Sequence, residues 1–232
     1  MLALRSIIFN IFFICSTLLI TIICSPLLIF NKTKFLPGKI WSRTTVKALQ
    51  YLCNITFEIK GSMHPHNQAC IYAVRHQSAW ETMIFHLISE RPVYIFKREL
   101  LYLPFFNLHL IFMGMIVVNR SAGMAALKNL LEQVKLKIKE NRPIIIFPEG
   151  TRTEVGVNVK VFPGIVAMYD LKLAPVIPVA LNSGQCWGKN SFIKRPGKIT
   201  IEFLPPLESN LSRKEFTQTL SDRLTEHSNK LN

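Results

Sequence analysis

The chain has few acidic residues and little charge of any kind for its length. Its 232 residues include 14 Asp and Glu against 28 Lys and Arg, so the formal net charge is +14, and only 18% of residues are charged. Disordered chains combine low hydrophobicity with high charge, whereas 49% of this chain is hydrophobic, and intrinsic disorder is therefore excluded. The 10 glycines and 13 prolines show no period, which excludes collagen-like and low-complexity classes.

Paired cysteines and a serine-hydrolase signature are also missing. The five cysteines are odd in number and scattered without CxxC spacing, so we expect buried thiols in a reducing compartment. His64, His66, Cys70 and His76 offer metal-ligating atoms, but their spacing matches no recognised zinc site, and no metal is expected. The GxSxG pattern of a nucleophile elbow does not occur, which argues against a serine hydrolase.

The longest apolar run lies near the N-terminus. Ser6–Phe30 contains no charged side chain, and as a helix it would measure roughly 37 Å, enough to cross a bilayer. A cleaved signal peptide would have a shorter apolar core followed by small residues, so a retained anchor is favoured. Pro26 leaves open a hairpin that enters one leaflet and returns. Basic residues follow the run while only Arg5 precedes it, which places the remaining chain on the cytoplasmic side, against anionic headgroups.

Beyond residue 50, short apolar runs alternate with helical patterns. Several runs are almost continuously hydrophobic, which is typical of strands covered on both faces. Capping boxes at Ser78–Glu81 and Ser212–Glu215 predict two helix starts, and a further helix is expected from Ala122 to Glu140. The predicted strands are Ile55–Lys60, Ala69–Arg75, Pro92–Phe96, Met115–Asn119, Pro143–Phe147, Pro175–Leu181 and Lys198–Phe203.

This alternation predicts an α/β fold: a single layered domain with a mostly parallel or mixed sheet flanked by helices, preceded by an N-terminal membrane-embedded helix. We expect residues 1–50 to form the membrane anchor with its basic segment, and residues 51–232 to form the catalytic domain.

The first candidate for chemistry is the turn after the second predicted strand. His76 stands where open α/β sheets bind ligands, and Glu81 lies close enough along the chain to orient its ring and stabilise its charged form. The same spacing is equally compatible with a simple capping box and an exposed turn histidine.

Basic residues follow three other strands. Arg152 belongs to the segment Phe147–Arg152, which reads FPEGTR, while Lys97 and Arg120 end two further strands. Arginine binds two phosphate oxygens with its planar fork, so three converging cations would form an anion pocket. Each of them alone is better explained as a solvated residue at a strand end.

In chain order, these segments resemble the motifs of the glycerophospholipid acyltransferase family, and specifically its lysophosphatidate (1-acyl-sn-glycerol-3-phosphate) acyltransferases in bacteria. Glu81 replaces the Asp usual in the first motif, and Asn119 stands where Asp commonly precedes the arginine of the second. The matching segments are His76–Glu81, Lys97–Pro104 with Gly114–Arg120, Phe147–Arg152, and Val176–Ser183.

The resemblance implies an enzyme that transfers a fatty acyl group to the 2-hydroxyl of lysophosphatidate and forms phosphatidic acid. The acyl donor would be a thioester of coenzyme A or acyl carrier protein, with no other cofactor, and the enzyme would lie on the cytoplasmic side of a bacterial inner membrane. It implies His76 as general base and Glu81 as the residue that holds it. The implied substrate-binding residues are Lys97, Arg120, Glu149, Gly150, Thr151 and Arg152.

Two alternatives remain open at this stage. One is an acyltransferase with another acceptor, such as glycerol 3-phosphate, a lyso-aminolipid or another lysophospholipid. The other is a membrane-anchored module that binds polyanions, for which the net charge is the only support. Because basic residues are dispersed and aromatic stacking motifs are lacking, we expect no nucleic-acid partner.

Overall fold

A seven-stranded sheet forms the centre of the molecule. The computed structural model describes residues 1–65, 68–103 and 106–231, with only the main chain of Arg120. His66 and Pro104, which occur in the sequence patterns above, lie outside the described residues. The strands are β1 (Ile55–Gly61), β2 (Ile71–Val74), β3 (Val93–Lys97), β4 (Ile116–Val118), β5 (Ile144–Ile146), β6 (Val176–Leu181) and β7 (Gly197–Phe203).

The strand order is β1-β7-β6-β2-β5-β3-β4, and the sheet is mixed. Five neighbouring strands, from β6 to β4, are mutually parallel, while β7 runs antiparallel to β6 and β1 runs parallel to β7. All seven predicted strands are confirmed. Because parallel strands end at the same edge, the loops after five of them meet on one side of the sheet.

Helices cover both faces of this sheet. One core lies between the sheet and the α-helices within residues 2–112, and the other lies between the sheet and the helices of residues 123–139, 163–170 and 213–230. This arrangement explains why β2, β5 and β6 are buried along their whole length and read as continuous apolar runs. The helices are α1 (Leu2–Ile23), α2 (Leu36–Cys53), α3 (Glu81–Ile88), α4 (Phe106–Phe112), α5 (Gly123–Lys139), α6 (Pro163–Asp170), α7 (Ser183–Cys186) and α8 (Arg213–Lys230).

The two predicted capping boxes have different outcomes. At α8, Ser212 and Glu215 exchange both hydrogen bonds, so that capping box is confirmed. At α3 the prediction is only half right: the Glu81 carboxylate accepts from the Ser78 amide, but the Ser78 hydroxyl accepts from the Trp80 amide at 3.1 Å instead. The helix consequently begins at Glu81, and residues 77–80 form a turn that precedes it.

The N-terminal helices form an antiparallel hairpin. After α1, a 3-10 turn over Ser25–Ile29 contains Pro26, and α2 then returns along α1. Trp41 Nε1 donates to Thr17 Oγ1 at 2.9 Å near the middle of the pair. Helix α1 is long and apolar enough to cross a membrane by length and composition, and most of its surface is exposed. Pro26 thus lies in the turn between two antiparallel helices, and a hairpin that enters one leaflet stays a prediction.

Helix α1 is nevertheless attached to the rest of the protein. Phe9 is completely buried, and Ser6 Oγ accepts a hydrogen bond from the Lys194 amide at 2.9 Å. The Lys194 ammonium donates to Asn10 Oδ1 at 2.9 Å and lies 4.8 Å from the Trp187 ring centroid. The first helix is thus a packed part of the fold, and the expected boundary at residue 50 falls inside α2, which itself packs against α3.

Candidate active site

The sequence-predicted site residues lie at one edge of the sheet. His76 follows β2, the segment Phe147–Arg152 follows β5, Lys97 ends β3, and Arg120 follows β4. Strand β5 lies directly beside β2, whereas β3 and β4 are the second and third strands away from β2. The parallel order of these four strands therefore places the segments that the sequence singled out at one edge of the sheet.

The main chain of His76 is held on both sides. Its amide donates to Glu149 Oε2 at 2.9 Å, and its carbonyl accepts from the Thr153 amide at 2.8 Å and from Thr153 Oγ1 at 3.2 Å. The half-buried imidazole stacks on the Phe147 ring with centroids 3.9 Å apart. The segment after β5 thus fixes both the backbone and the ring plane of His76.

Glu81 is completely buried and anchors the turn that follows His76. Its carboxylate accepts hydrogen bonds from the amides of Gln77 and Ser78 at 2.9 and 3.0 Å, and from Ser183 Oγ at 2.5 Å. Burial raises the pKa of the Glu81 carboxyl to about 7, although these hydrogen bonds oppose the rise. The carboxylate thereby connects the β2 loop to α7, and a direct role at the imidazole stays a prediction.

Replacing Ser183 with Ala is expected to lower the free energy of unfolding by about 1–3 kcal/mol, because a buried carboxylate loses one hydrogen-bond donor. Urea unfolding measures the change, and Ser209→Ala, at an exposed serine, is the matched control. Equal stability of the two variants would contradict an anchoring role for Ser183.

A buried ion pair also holds the loop that contains His76. Arg75 Nε lies 3.2 Å from Glu149 Oε1, both side chains are 1% exposed, and an Arg75 Nη atom also donates to the Val157 carbonyl. Burial raises the pKa of the Glu149 carboxyl to about 7, while the Arg75 charge opposes that rise. Glu149 Oε1 also accepts from Thr153 Oγ1. The Glu149 carboxylate, expected to contact substrate, is thus engaged within the protein and positions His76.

The remaining substrate-binding candidates differ in exposure. Arg152 is half-buried and precedes Thr153, whose amide contacts the His76 carbonyl, so its main chain lies beside His76. Thr151 and Lys97 are exposed. Gly150 has a φ of +65°, a left-handed conformation that favours glycine, which gives it a conformational role in the loop. The Arg120 side chain lies outside the described part of the structure.

An apolar pocket lies between the helical hairpin and the sheet. Its wall includes Trp41 of α2, Thr82 and His86 of α3, and Phe96 of β3. The His76, Phe147, Tyr94 and Phe96 rings form a row with neighbouring centroids 3.9, 6.5 and 5.6 Å apart, leading from the site to this pocket. The further lining residues are Ile20, Thr21, Pro37, Gly38, Phe106, His109, Leu110, Met113 and Met115.

Sequence reasoning did not assign roles to three residues that support the site, namely Arg75, Thr153 and Ser183. Arg75 ends an apolar strand and is nevertheless 1% exposed, so a charged residue within a buried run was the available signal. Ser183 lies in the fourth matching segment, but its contact with Glu81 spans 102 residues and has no local signature. Buried charges and hydroxyls of this kind are identified only once the partners are placed.

Comparisons with known proteins identify the family of this chain. A family model described as Acyltransferase matches residues 55–182. The 1-acyl-sn-glycerol-3-phosphate acyltransferase of Pseudomonas aeruginosa is 33% identical over 185 residues, which cover 80% of this chain and 72% of that protein. The protein of the same name from Borreliella burgdorferi is 30% identical over 193 residues, 80% of this chain and 76% of its own length. The Cocos nucifera protein of that name is longer, and the match covers 56% of it at 28% identity.

The fold also occurs in a solved structure. The crystal structure of the 1-acyl-sn-glycerophosphate (LPA) acyltransferase PlsC from Thermotoga maritima superposes with a TM-score of 0.76 over 100% of this chain and 98% of that one, at 19% identity. At that identity the match establishes the shared fold. Together with the matched family model and the bacterial relatives, it shows that this chain belongs to the acyltransferase family.

Proposed function

We propose that this enzyme transfers a fatty acyl group from a coenzyme A or acyl-carrier-protein thioester to the 2-hydroxyl of 1-acyl-sn-glycerol 3-phosphate, forming phosphatidic acid. The observation that carries the proposal is the placement of His76. Its backbone is held by Glu149 and Thr153 beside Arg152, and a row of aromatic rings joins it to an apolar pocket. A base, a cation and an apolar pocket are the groups that an acyl transfer to a phosphorylated lipid alcohol requires.

His76 acts as the general base in this proposal. A thioester is already activated, so no covalent enzyme intermediate is needed, but the lipid alcohol must lose a proton as it attacks. The hydroxyl proton passes to the imidazole while the new C–O bond forms, the C–S bond then breaks, and the departing thiolate takes the proton from the imidazolium. General-base assistance of this kind contributes about 10²–10⁴ in rate.

Glu81 and Glu149 are positioning residues in this scheme. Glu81 holds the two amides that follow His76, and Glu149 holds the amide of His76 itself. The two carboxylates therefore fix the imidazole through the main chain, which orients the base before substrate binds. Of the two residues expected to contact the glycerol, Thr151, which is exposed, keeps that role, and Glu149 is assigned to positioning.

The acceptor phosphate is assigned to the cations at the carboxyl edge of the sheet, namely Arg152 with Lys97 and Arg120. Arg152 is the nearest of them to His76 by main-chain position, since it directly precedes Thr153. The 2-hydroxyl and the 3-phosphate of the acceptor are on adjacent carbons, so a phosphate held here presents the hydroxyl to the imidazole.

Replacing Arg152 with Ala is expected to raise the KM for lysophosphatidate roughly 10–100-fold, since charge-assisted hydrogen bonds to the phosphate are lost. The KM for the acyl donor should stay within about twofold, because the donor contacts other groups. Steady-state kinetics with each substrate varied in turn measures both constants. Arg213→Ala, which removes an exposed arginine of α8, is the control, and an unchanged acceptor KM in Arg152→Ala would contradict the assignment.

The acyl chain is assigned to the apolar pocket next to α3. Trp80 is 1% exposed within the core and β6 is fully buried, so neither offers a surface to the acyl chain. Thr82 and His86 of α3 line the pocket, together with residues of the hairpin. An acyl chain can thus enter from the side on which the exposed apolar surface of α1 lies.

We also propose that the outer face of α1 holds the enzyme on the cytoplasmic side of a bacterial inner membrane. Because α1 is paired with α2 and bonded to Lys194, it lies alongside the catalytic part and does not extend away from it. A helix held in this way enters one leaflet more readily than it spans two.

The choice of acceptor is tested with a panel of substrates. Radiolabelled oleoyl-CoA is offered with lysophosphatidate, glycerol 3-phosphate, a lyso-aminolipid and lysophosphatidylcholine, and the same panel is repeated with oleoyl-acyl carrier protein. We expect the highest kcat/KM with lysophosphatidate. A higher value with any other acceptor would replace the proposed substrate with that one.

A polyanion-binding module is no longer favoured, because net charge alone supported it and the chain belongs to an enzyme family.

A further inference from the structure

A second basic site lies at the end of the sheet remote from His76. It is a pocket of about 430 Å³ between the start of α2 and the turn that joins α3 to β3. Arg91 precedes β3 at this end, whereas Lys97 ends β3 at the catalytic edge, so the two ends are roughly 20 Å apart at about 3.3 Å per residue. The pocket is lined by Asn31, Lys32, Lys34, Phe35, Lys39, Glu90 and Arg91.

The charge of this pocket is unbalanced. Four basic side chains line it against the single carboxylate of Glu90. Within the described ranges, no carboxylate oxygen lies within 4.0 Å of the nitrogen atoms of these four side chains. The ion pairs found there involve other cations. Cations gathered without a counter-charge repel one another, and this repulsion is relieved when an anion binds among them.

One aromatic ring holds three cations at the wall of the pocket. Lys34 Nζ, Arg91 Cζ and Arg142 Cζ lie 5.6, 5.8 and 5.0 Å from the Phe35 ring centroid. Arg142 is buried behind the lining, pairs with Glu140 at 3.4 Å, and donates to the main-chain carbonyls of Met113 and Arg91, so Lys34 and Arg91 are the cations that this ring places in the pocket. The positive charge is therefore concentrated on a fixed surface by cation–π contacts.

The N-terminus of α2 adds to the positive potential. Phe35 occupies the N-cap position without a side-chain hydrogen bond, and the first turn contains no acidic residue. A helix of this length carries the equivalent of about half a positive charge at its N-terminus, which favours an anion there. Lys34 and Lys39 flank this end, so the protein places cations where its own helix would favour the opposite sign.

Arg91 has an unusual backbone conformation. Its φ is +50°, in the left-handed region, which a non-glycine residue adopts at a cost of roughly 1–2 kcal/mol. Glycine would form the same turn without strain, so the turn itself does not require an arginine. Its side chain faces the pocket and the Phe35 ring, so the guanidinium contributes to the pocket, while the turn needs only its backbone.

We propose that this pocket binds the phosphate of an anionic phospholipid, separately from the reacting lipid. A lipid is the source that the surroundings favour, because Ile29 and Phe30, 72% and 63% exposed, immediately precede Asn31 at the rim. Leu36, at the start of α2, is 43% exposed. A phosphate in the pocket would thus have its acyl chains beside the apolar surface of the hairpin. The bound lipid fixes the height of the hairpin in the bilayer and leaves the catalytic edge free.

The test compares two double variants of the full chain. Lys34→Gln/Arg91→Gly removes two charges from the pocket, and the control Arg43→Gln/Lys47→Gln removes two exposed charges from α2 outside it. Binding is measured by flotation with vesicles of phosphatidylcholine alone and with 30% phosphatidylglycerol. We expect the pocket variant to lose about 30-fold in its preference for the anionic vesicles and the control at most threefold. Equal losses would show general surface attraction and overturn the proposal.

Further measurements separate the remaining explanations. Arg91→Gly alone should unfold at the same or a higher temperature than wild type, so that weaker vesicle binding is not attributable to misfolding. Inorganic phosphate at 10 mM should not release the protein from anionic vesicles, and release would identify free phosphate as the ligand instead. Turnover with water-soluble short-chain substrates should stay within twofold of wild type in the pocket variant. A larger fall would place the pocket in the reaction site and overturn its independence.

Discussion

Replacing His76 with Ala is expected to reduce acyl transfer at saturating substrate by at least 10²–10⁴-fold, because the attacking alcohol then loses its general base. Folding should be nearly unaffected, since the contacts that hold this position are made by the main chain with Glu149 and Thr153 and remain available to alanine. Radiolabelled acyl transfer measures the loss, and circular dichroism and vesicle flotation establish that fold and membrane association are retained.

A matched control for the His76 variant is His227→Ala, which removes a partly exposed imidazole on α8 that contacts Glu202. Its turnover should equal that of wild type. Near-wild-type turnover in His76→Ala would assign the base to another group. If His76→Ala loses both activity and folding, His76→Gln separates the two effects. Glutamine keeps a polar side chain of similar size, so this variant should fold and be equally inactive.

Replacing Glu149 with Ala is expected to lower the free energy of unfolding by about 3–5 kcal/mol. The reason is that Arg75, 1% exposed, would be left as a buried charge without its partner, and breaking one member of a buried pair costs this much. Urea unfolding at pH 8 measures the change. Glu154→Ala is the control, because Glu154 lies in the same loop and is exposed, and it should change stability by less than about 0.5 kcal/mol.

Burial of the Glu149 carboxyl gives stability a pH dependence, which the ion pair with Arg75 opposes. Burial raises the folded-state pKa of Glu149 above its unfolded value to about 7, so the folded state binds the proton more tightly. Its contribution to stability is therefore largest below about pH 4.5 and is lost as the pH rises through 7. Glu149→Gln should lack this part of the pH dependence. A small effect of Glu149→Ala would contradict the buried-pair interpretation, and a pH profile unchanged in Glu149→Gln would contradict the raised pKa of this carboxyl.

Most of the strands could be predicted because they are apolar runs bounded by polar or proline residues. Runs such as Ile144–Ile146 are buried on both faces, so hydrophobicity alone marks them. The strand order and the antiparallel placement of β7 could not be predicted, since they depend on contacts between distant segments. The start of α3 was placed too early because the Ser78 hydroxyl bonds the Trp80 amide, and local sequence does not decide between two nearby amides.

The residues of the candidate site also differ in whether the sequence could predict them. His76 and the segment after β5 were predictable because they follow strands and match a family pattern in order. The interaction of Glu149 with Arg75 and that of Glu81 with Ser183 were not, because each joins two loops whose proximity exists only in the folded sheet. The residues proposed to act on substrate thus left a sequence signal, whereas Arg75 and Ser183, the partners of the two supporting carboxylates, did not.

The attachment of α1 has a practical consequence for biochemical work. An N-terminally shortened protein without this helix would uncover Trp187 and deprive the Lys194 ammonium of its Asn10 partner, opening part of the interior to water. Removing this apolar helix to obtain a freely soluble enzyme would therefore destabilise the catalytic part of the protein. The full chain, with α1 retained, should therefore be purified in mild detergent.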